Sequence, residues 1–394
     1  MLSFLVFFVS FSFVRAGFFD LTDVEDPLAL LWNLPVHQKI TQCIIDTNRY
    51  GTCMDKPRCL LTGGTPSGKC GPLFTCCSYD TDCVKTSDKK QGHFESRNLN
   101  TAVTNCKYTI RLRSKNVCQV RLDFEEFYLA PATLTRSSTE SDVSIYKCVN
   151  DALKIDPDTY GVPVLCGNNT RQHLYIHFNT PTEPRSTVNL DINIANRLSV
   201  DYKDLQKPSW KIKFTQLECP MKRHKFDFSK YAEIEHINED FSSLAPQGAI
   251  QYFTETHGEI RSFGLDTTAP LKSEEATSYP YSEHYSIAFK RPNNVCGIKF
   301  TATYFNVLRS DKDVCYHYLY IPEYFSETSL SSAGAGTVCS GTDQPFYSLV
   351  PGPFYVNFKS MDTSQYVAPT LENRGFILNY ELQAANSCPL NNNF

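Results

Sequence analysis

The strongest constraint on this chain is an internal repeat of roughly 170 residues that carries its cysteines with it. Gly92-His-Phe-Glu-Ser96 matches Gly258-Glu-Ile-Arg-Ser262, and Asn116-Val-Cys118 and Asn294-Val-Cys296 each head an alternating apolar/polar run. Cys148 to Ile155 corresponds to Cys315 to Ile321. Cys166 and Cys339 then follow in turn, each copy gives a run ending in Phe178 or Phe358, and each closes on a last alternating run followed by Cys219 or Cys388. A repeat of this kind means one β-domain built twice. The segments Gln119–Phe124, Leu174–Phe178, Leu190–Ile194, Trp210–Leu217, Gly297–Phe300, Tyr318–Ile321, Tyr355–Phe358 and Phe376–Tyr380 have the period-two patterning and β-branched and aromatic bias of strands. Turn residues separate them at short intervals, so the expected architecture is all-β antiparallel sandwiches.

Ahead of the repeat, six cysteines fall between Cys43 and Cys77, with Gly63-Gly64 and Thr65-Pro66-Ser67-Gly68 as explicit turns. A segment that short buries little core and must be stapled. Zinc is disfavoured because no Cys-x2-Cys pair occurs and the adjacent Cys76-Cys77 suits a tetrahedral cage poorly. Residues 1–16 open with MLSFLVFFVSFSFV, too short to span a bilayer comfortably, and small residues precede a cleavage point after Ala16. The expected product is secreted, soluble and without a membrane span. The expected order is a signal peptide at 1–16, an N-terminal segment at 17–42, a cysteine-rich module at 43–82, a first domain at 83–219, a linker at 220–247, a second domain at 248–388 and a tail at 389–394.

Composition removes other classes. The net charge is −4, with no basic excess to neutralise phosphates, so nucleic acid is not an expected partner. Twenty-seven Phe and 22 Tyr exclude a disordered chain. His173-Leu-Tyr-Ile-His177 has metalloprotease spacing, but Leu174 stands where the general-base Glu is needed. On a strand the two imidazoles lie about 13 Å apart on one side, too far to share a metal, and are expected as surface or rim histidines. No Gly-x-Ser-x-Gly or Gly-Asp-Ser-Gly segment is present, and Gly334 and Gly336 in SSAGAGT lack the Lys of a phosphate loop and are expected at a flexible loop tip. No catalytic residue, cofactor or metal is expected.

The Gly-x-apolar-x-Ser opener, the Cys-x-x-Asp-x-apolar-x-Ile element at Cys148, the following Cys166-Gly167 and the closing Gly375-Phe-Ile-Leu-Asn-Tyr380 resemble the CUB domain. With Val117–Phe124, Cys166–His173 and Gln251–Thr254, the chain looks like secreted arthropod CUB-domain proteins that carry a small clip-like cysteine module. The resemblance covers about residues 43–388 and implies two jelly-roll sandwiches after a disulfide-rich module. It also implies pairings: Cys83–Cys106, Cys118–Cys219 and Cys148–Cys166 in the first domain, and Cys296–Cys388 and Cys315–Cys339 in the second. Clip frameworks suggest Cys43–Cys76, Cys53–Cys70 and Cys59–Cys77, one of the fifteen pairings that six cysteines allow. The second domain has Ala249 and Ala288 where the family places a further bridge.

Many CUB domains bind Ca²⁺ through three acidic positions. Here Asp151 fits one, while Ala130 and Pro181 replace the others, and in the second domain Tyr318 and Met361 stand there, with Asp362 next door. Asp151 is therefore expected as a hydrogen-bonding loop residue and at most a calcium-site remnant. Asn168-Asn169-Thr170 is the glycosylation sequon. Residues 131–147 form a Ser/Thr-rich insertion, expected as surface decoration or a recognition loop. The resemblance implies a non-catalytic extracellular binding or adhesion protein whose partner is an extracellular protein or glycan. The alternative is an accessory or decoy regulator of a clip-type protease cascade.

Overall fold

The computed structural model describes residues 42–46, 49–61, 65–78, 83, 85–96, 104–136, 144–157, 161–178, 186–197, 199–219, 240–266, 278–309, 315–326, 329–334, 336–339, 345–349, 352–361 and 374–384. The expected signal peptide, most of the linker, Pro181, Asp362, Cys388 and the tail lie outside them.

The chain divides into two units, the first of them disulfide-rich. Its strands are β1 (Gln42–Asp46), β2 (Arg49–Asp55), β3 (Thr65–Lys69) and β4 (Phe74–Ser78), with a short helix α1 (Lys56–Leu61) after β2. They form one antiparallel sheet in the order β1-β2-β4-β3. Bridges Cys43–Cys76, Cys53–Cys70 and Cys59–Cys77 hold it, and Cys59, Cys76 and Cys77 are fully or almost fully buried. Sulfur takes the place of the apolar side chains that so short a segment lacks.

The second unit contains two sandwiches. The first comprises β5 (Lys85–Ser87), β6 (Gln91–Glu95), β7 (Asn105–Arg111), β8 (Val117–Tyr128), β9 (Thr133–Arg136), β10 (Ser144–Lys147), β11 (Ala152–Asp156), β12 (His173–His177), β13 (Thr187–Asn193) and β14 (Ser209–Glu218). Sheets β11-β13-β7-β5 and β12-β8-β14-β6 face each other, and β9 pairs with β10 as a hairpin. Alternation sets what lies inside: Tyr108 and Ile110, Leu122 and Phe124, Ile212 and Phe214 point to the core, with Trp210 beside Phe94 at 5.5 Å.

The second sandwich comprises β15 (Ala249–Phe253), β16 (His257–Arg261), β17 (His284–Phe289), β18 (Val295–Asn306), β19 (Tyr318–Tyr320), β20 (Tyr324–Ser326), β21 (Ser329–Gly334), β22 (Thr337–Val338), β23 (Phe346–Ser348), β24 (Phe354–Lys359) and β25 (Gly375–Ala384). Its sheets run β15-β17-β24-β19-β22 and β16-β25-β18-β23-β20-β21. The repeat is therefore a repeat of topology. β5 lies parallel to β7 as β15 does to β17, and β14 is flanked by β6 and β8 as β25 is by β16 and β18.

Register corrects three expectations. Phe178 follows β12, which pairs with β8, whereas Phe358 lies in β24 between β17 and β19; the two are not equivalent. Secondly, Leu165 and Val338, each just before a bridged cysteine, pair with Leu153 and Leu319. From there the first sandwich reads Leu153–Ile192–Cys106 across its strands, and the second reads Leu319–Phe358–Tyr285. Tyr285, not Ala288, thus occupies the place of Cys106, fully buried against Phe263 and Phe358. Ala288 points away from that core and packs with Ala249, Ala245, Tyr175 and Leu217. Thirdly, Gly336 is buried, its carbonyl accepting from Ile321 N at 2.7 Å, and a Cβ there would strike the Ile321 carbonyl. It is no loop tip.

Candidate functional site

Asp151 is 1% exposed, and both its carboxylate oxygens are saturated. Oδ2 accepts from Ala130 N at 2.8 Å and Oδ1 from Ala195 N at 3.0 Å. The Arg197 guanidinium closes the site with Nη1 to Oδ1 at 2.9 Å and Nη2 to Oδ2 at 2.6 Å. Arg197 is anchored in turn by donating to the carbonyls of Ala195 and Gln206. The planar fork suits a carboxylate and supplies the positive charge that the missing acids would have gathered as a metal ion. Tyr318 and Met361 are partly and openly exposed side chains with no carboxylate to offer. Among the described residues, no group of three His, Cys, Asp or Glu is placed to hold a metal.

The two histidines are not surface groups. β12 buries Leu174 and Ile176 in the first core, which turns His173, Tyr175 and His177 to the opposite face, and the second sandwich covers that face. His173 is 8% exposed. Its Nε2 accepts from Tyr252 N at 3.0 Å, and Phe253 stands edge-on to its ring at 4.8 Å. His177 Nε2 lies 2.7 Å from the Ala249 carbonyl, and its Nδ1 lies 3.3 Å from Gln119 Nε2. Burial, with the Arg121 charge adding to it, pushes the His173 imidazolium pKa down to about 4. Burial also lowers His177, against the bond to Ala249. Both imidazoles are neutral at pH 7.

This seam continues on either side of β12. Gln119 clamps the backbone of Ala245, donating to its carbonyl at 2.7 Å and accepting from its N–H at 2.9 Å. Tyr175 Oη donates to the Ser243 carbonyl at 3.1 Å, and Asp240 pairs with Lys90 at 2.8 Å. The end of the expected linker, residues 240–247, is thus fastened to the first sandwich, starting with a single helical turn over 240–243. Gln251 Nε2 donates to Gln172 Oε1 at 3.2 Å, and Gly264 N donates to Asn169 Oδ1 at 2.7 Å. Gly167 and Gly264, both with positive φ, let the backbones touch: a Cβ at Gly167 would lie 2.6 Å from the Gly264 oxygen.

The sequon also sits in the seam. Asn168 Nδ2 donates to Asp266 Oδ1 at 3.2 Å, and Thr170 Oγ1 accepts from Phe127 N at 3.0 Å. The insertion at 131–147 supplies the β9–β10 hairpin, and Tyr146 from it accepts from Tyr281 N at 2.9 Å with the rings edge to face at 5.8 Å. It is an inter-sandwich contact, not decoration alone. The second sandwich hides one more polar pair, Tyr279 Oη with His317 Nδ1 at 2.7 Å; burial drives the His317 imidazolium to about 3.

The bridges Cys83–Cys106, Cys118–Cys219, Cys148–Cys166 and Cys315–Cys339 are formed, and none of the described cysteines is free. Cys296 is likewise disulfide-bonded. No helix among the described residues is long and apolar enough to cross a membrane. Bridges in this number are consistent with an extracellular protein.

Residues 246–383 match the family model of the animal CUB domain. No curated protein matches the chain. Among solved structures, the chain is similar to the CUB1-EGF-CUB2 domains of rat MASP-1 at 14% identity and a TM-score of 0.22, covering 75% of this chain and 99% of that one. The CUB1-EGF-CUB2 domain of human MASP-1/3 gives 13% identity, a TM-score of 0.22, and 75% and 100% coverage. The extracellular region of zebrafish Gpr126/Adgrg6 gives 11% identity and a TM-score of 0.22, covering 77% of this chain and 37% of that one. The sandwich built from β15 to β25, residues 246–383, is a CUB domain, a module that generally mediates protein–protein binding.

Proposed function

We propose that this chain is a non-catalytic extracellular binding protein, secreted after loss of residues 1–16, with the first sandwich serving as a second CUB-type module. One observation carries the reading. The side chains that the sequence singles out for chemistry, His173, His177 and Asp151, are taken up by bonds that hold the scaffold. Binding, by contrast, asks only for a rigid frame with varied loops. The loss of acidic positions around Asp151 further favours recognition by aromatic and apolar contacts over a calcium-ordered acidic loop. The partner is an extracellular protein or glycan.

The pairing Cys43–Cys76, Cys53–Cys70 and Cys59–Cys77 favours a second reading. It is the framework expected of a clip-like module, and an accessory or decoy of a secreted protease cascade would carry one. Co-purification of the tagged chain from the fluid into which it is secreted separates the two readings. A protease as the recovered partner selects the second, and a non-protease protein or a glycan selects the first. Turnover of generic ester or peptide substrates by the purified protein would refute both.

A further inference from the structure

The seam is built on two histidines that must stay neutral, and its bonds leave neither of them room for a second proton. We propose that the seam is an acid-sensitive latch: protonation of His173 and His177 on β12 releases β15 and frees the two sandwiches from each other.

The hydrogen bonds dictate the direction. Tyr252 N–H points at His173 Nε2 from 3.0 Å, so that nitrogen carries no hydrogen while the latch is shut. A proton there sets N–H against N–H. The charged and titratable groups facing His173 are Arg121 and Asp123 from β8, Tyr175 from its own strand and Tyr252 from β15. Asp123 is the one group that could welcome an imidazolium. However, its Oδ1 is already held by Arg121 Nε at 2.9 Å and Nη2 at 2.7 Å, so the new charge meets an existing guanidinium.

His177 is constrained the same way from the other side. Nε2 donates to the Ala249 carbonyl, which leaves Nδ1 as acceptor for Gln119 Nε2. The Gln119 amide cannot turn over to offer its oxygen, because both ends are fixed by the Ala245 backbone. Protonated His177 therefore loses a bond and gains a repulsion. Both histidines grip the same strand, at Tyr252 and at Ala249, so both titrations act on one element.

The sign follows from linkage. An imidazole freed by opening takes up a proton at its ordinary pKa of 6.5, while shut it resists until about 4. The latch is at full strength above 6.5 and weakens as the pH falls, because the open form binds the extra proton. His173 alone raises the opening equilibrium about tenfold between pH 7.5 and 5.5 and about 100-fold by pH 4. The inference is independent of the partner's identity.

Hydrogen exchange on the full chain tests it, with protection corrected for the intrinsic pH dependence of exchange. Peptides covering 249–253 should lose at least tenfold in protection between pH 7.5 and 5.5, reversibly, while β8, β14, β18 and β25 stay protected. In His173→Gln/His177→Gln, where the amides hold hydrogen-bonding capacity without titrating, the same drop should shrink to under twofold. A flat wild-type profile overturns the latch, and the wild-type measurement stands even if the variant does not fold. Simultaneous loss in β8 and β18 overturns it too, as global acid unfolding. So does a folded double variant that keeps the tenfold drop.

Discussion

Replacing Asp151 by Ala should be among the most damaging single changes in the first sandwich. The carboxylate is 1% exposed, and the Arg197 side chain that it neutralises is 8% exposed. Removing it leaves a buried guanidinium without a counter-charge, a defect of about 3–5 kcal/mol. It also orphans the N–H groups of Ala130 and Ala195, worth about 1 kcal/mol each where water does not replace the bond. A loss near 4 kcal/mol corresponds to a melting temperature roughly 10–20 °C lower. Arg197→Leu alone should cost less, because both backbone donors still serve the carboxylate. The double variant Asp151→Ala/Arg197→Leu should be more stable than Asp151→Ala, with a coupling of about 2 kcal/mol. Thermal and denaturant unfolding of the four proteins measures the cycle. Melts in Ca²⁺ and in chelator should superimpose, since the guanidinium holds the place a cation would need. The reasoning fails if Asp151→Ala lies within about 1 kcal/mol of wild type, if the coupling is nil, or if Ca²⁺ raises the melt by several degrees.

Other changes probe the seam and the lost bridge. Gly167→Ala forces a Cβ onto the Gly264 backbone at positive φ and should cost about 2 kcal/mol or more, read as lost exchange protection at 264–266. Gln119→Leu removes both bonds to Ala245 and should loosen residues 240–253 while the first sandwich keeps its own unfolding free energy within about 2 kcal/mol. Ala249→Cys/Ala288→Cys should keep two titratable thiols when folded. Ala249 pairs with Ser286, two residues from Ala288, a Cα separation of roughly 8 Å and beyond the reach of a disulfide. Gln216→Leu strips the bonds to Lys89, Arg111 and Arg113 from a fully buried amide and should destabilise by about 2–4 kcal/mol, checked by urea unfolding.

Local order along the chain settled much of this protein. Period-two alternation marks β8, β12, β14 and β25 because each strand turns alternate residues to the apolar core and the others to the opposite face of its sheet. Four cysteines repeat in order because both copies are stapled at the same two places, while the Cys83–Cys106 bridge belongs to the first copy alone. The lack of a nucleophile motif or a glycine-rich phosphate loop is equally legible, since both are short and contiguous. Alternation, however, states which residues share a face and not what lies opposite. His173 and His177 could be placed together on one side of β12, but only the packing of the second sandwich made that side an interior. Strand register was beyond reach for the same reason: Cys106 and Tyr285 are equivalent through hydrogen-bonded neighbours far along the chain, while the family pattern points to Ala288, on the wrong face. Asp151 could be stripped of its metal by the absence of acids around it. Its real partner, Arg197, is 46 residues away and recognisable only once β11 and β13 bring the loops at their ends together. Sequence alone fixes what depends on near neighbours; distant pairings are decided when the sheets close, because only then do buried charges and buried imidazoles acquire the partners that burial demands.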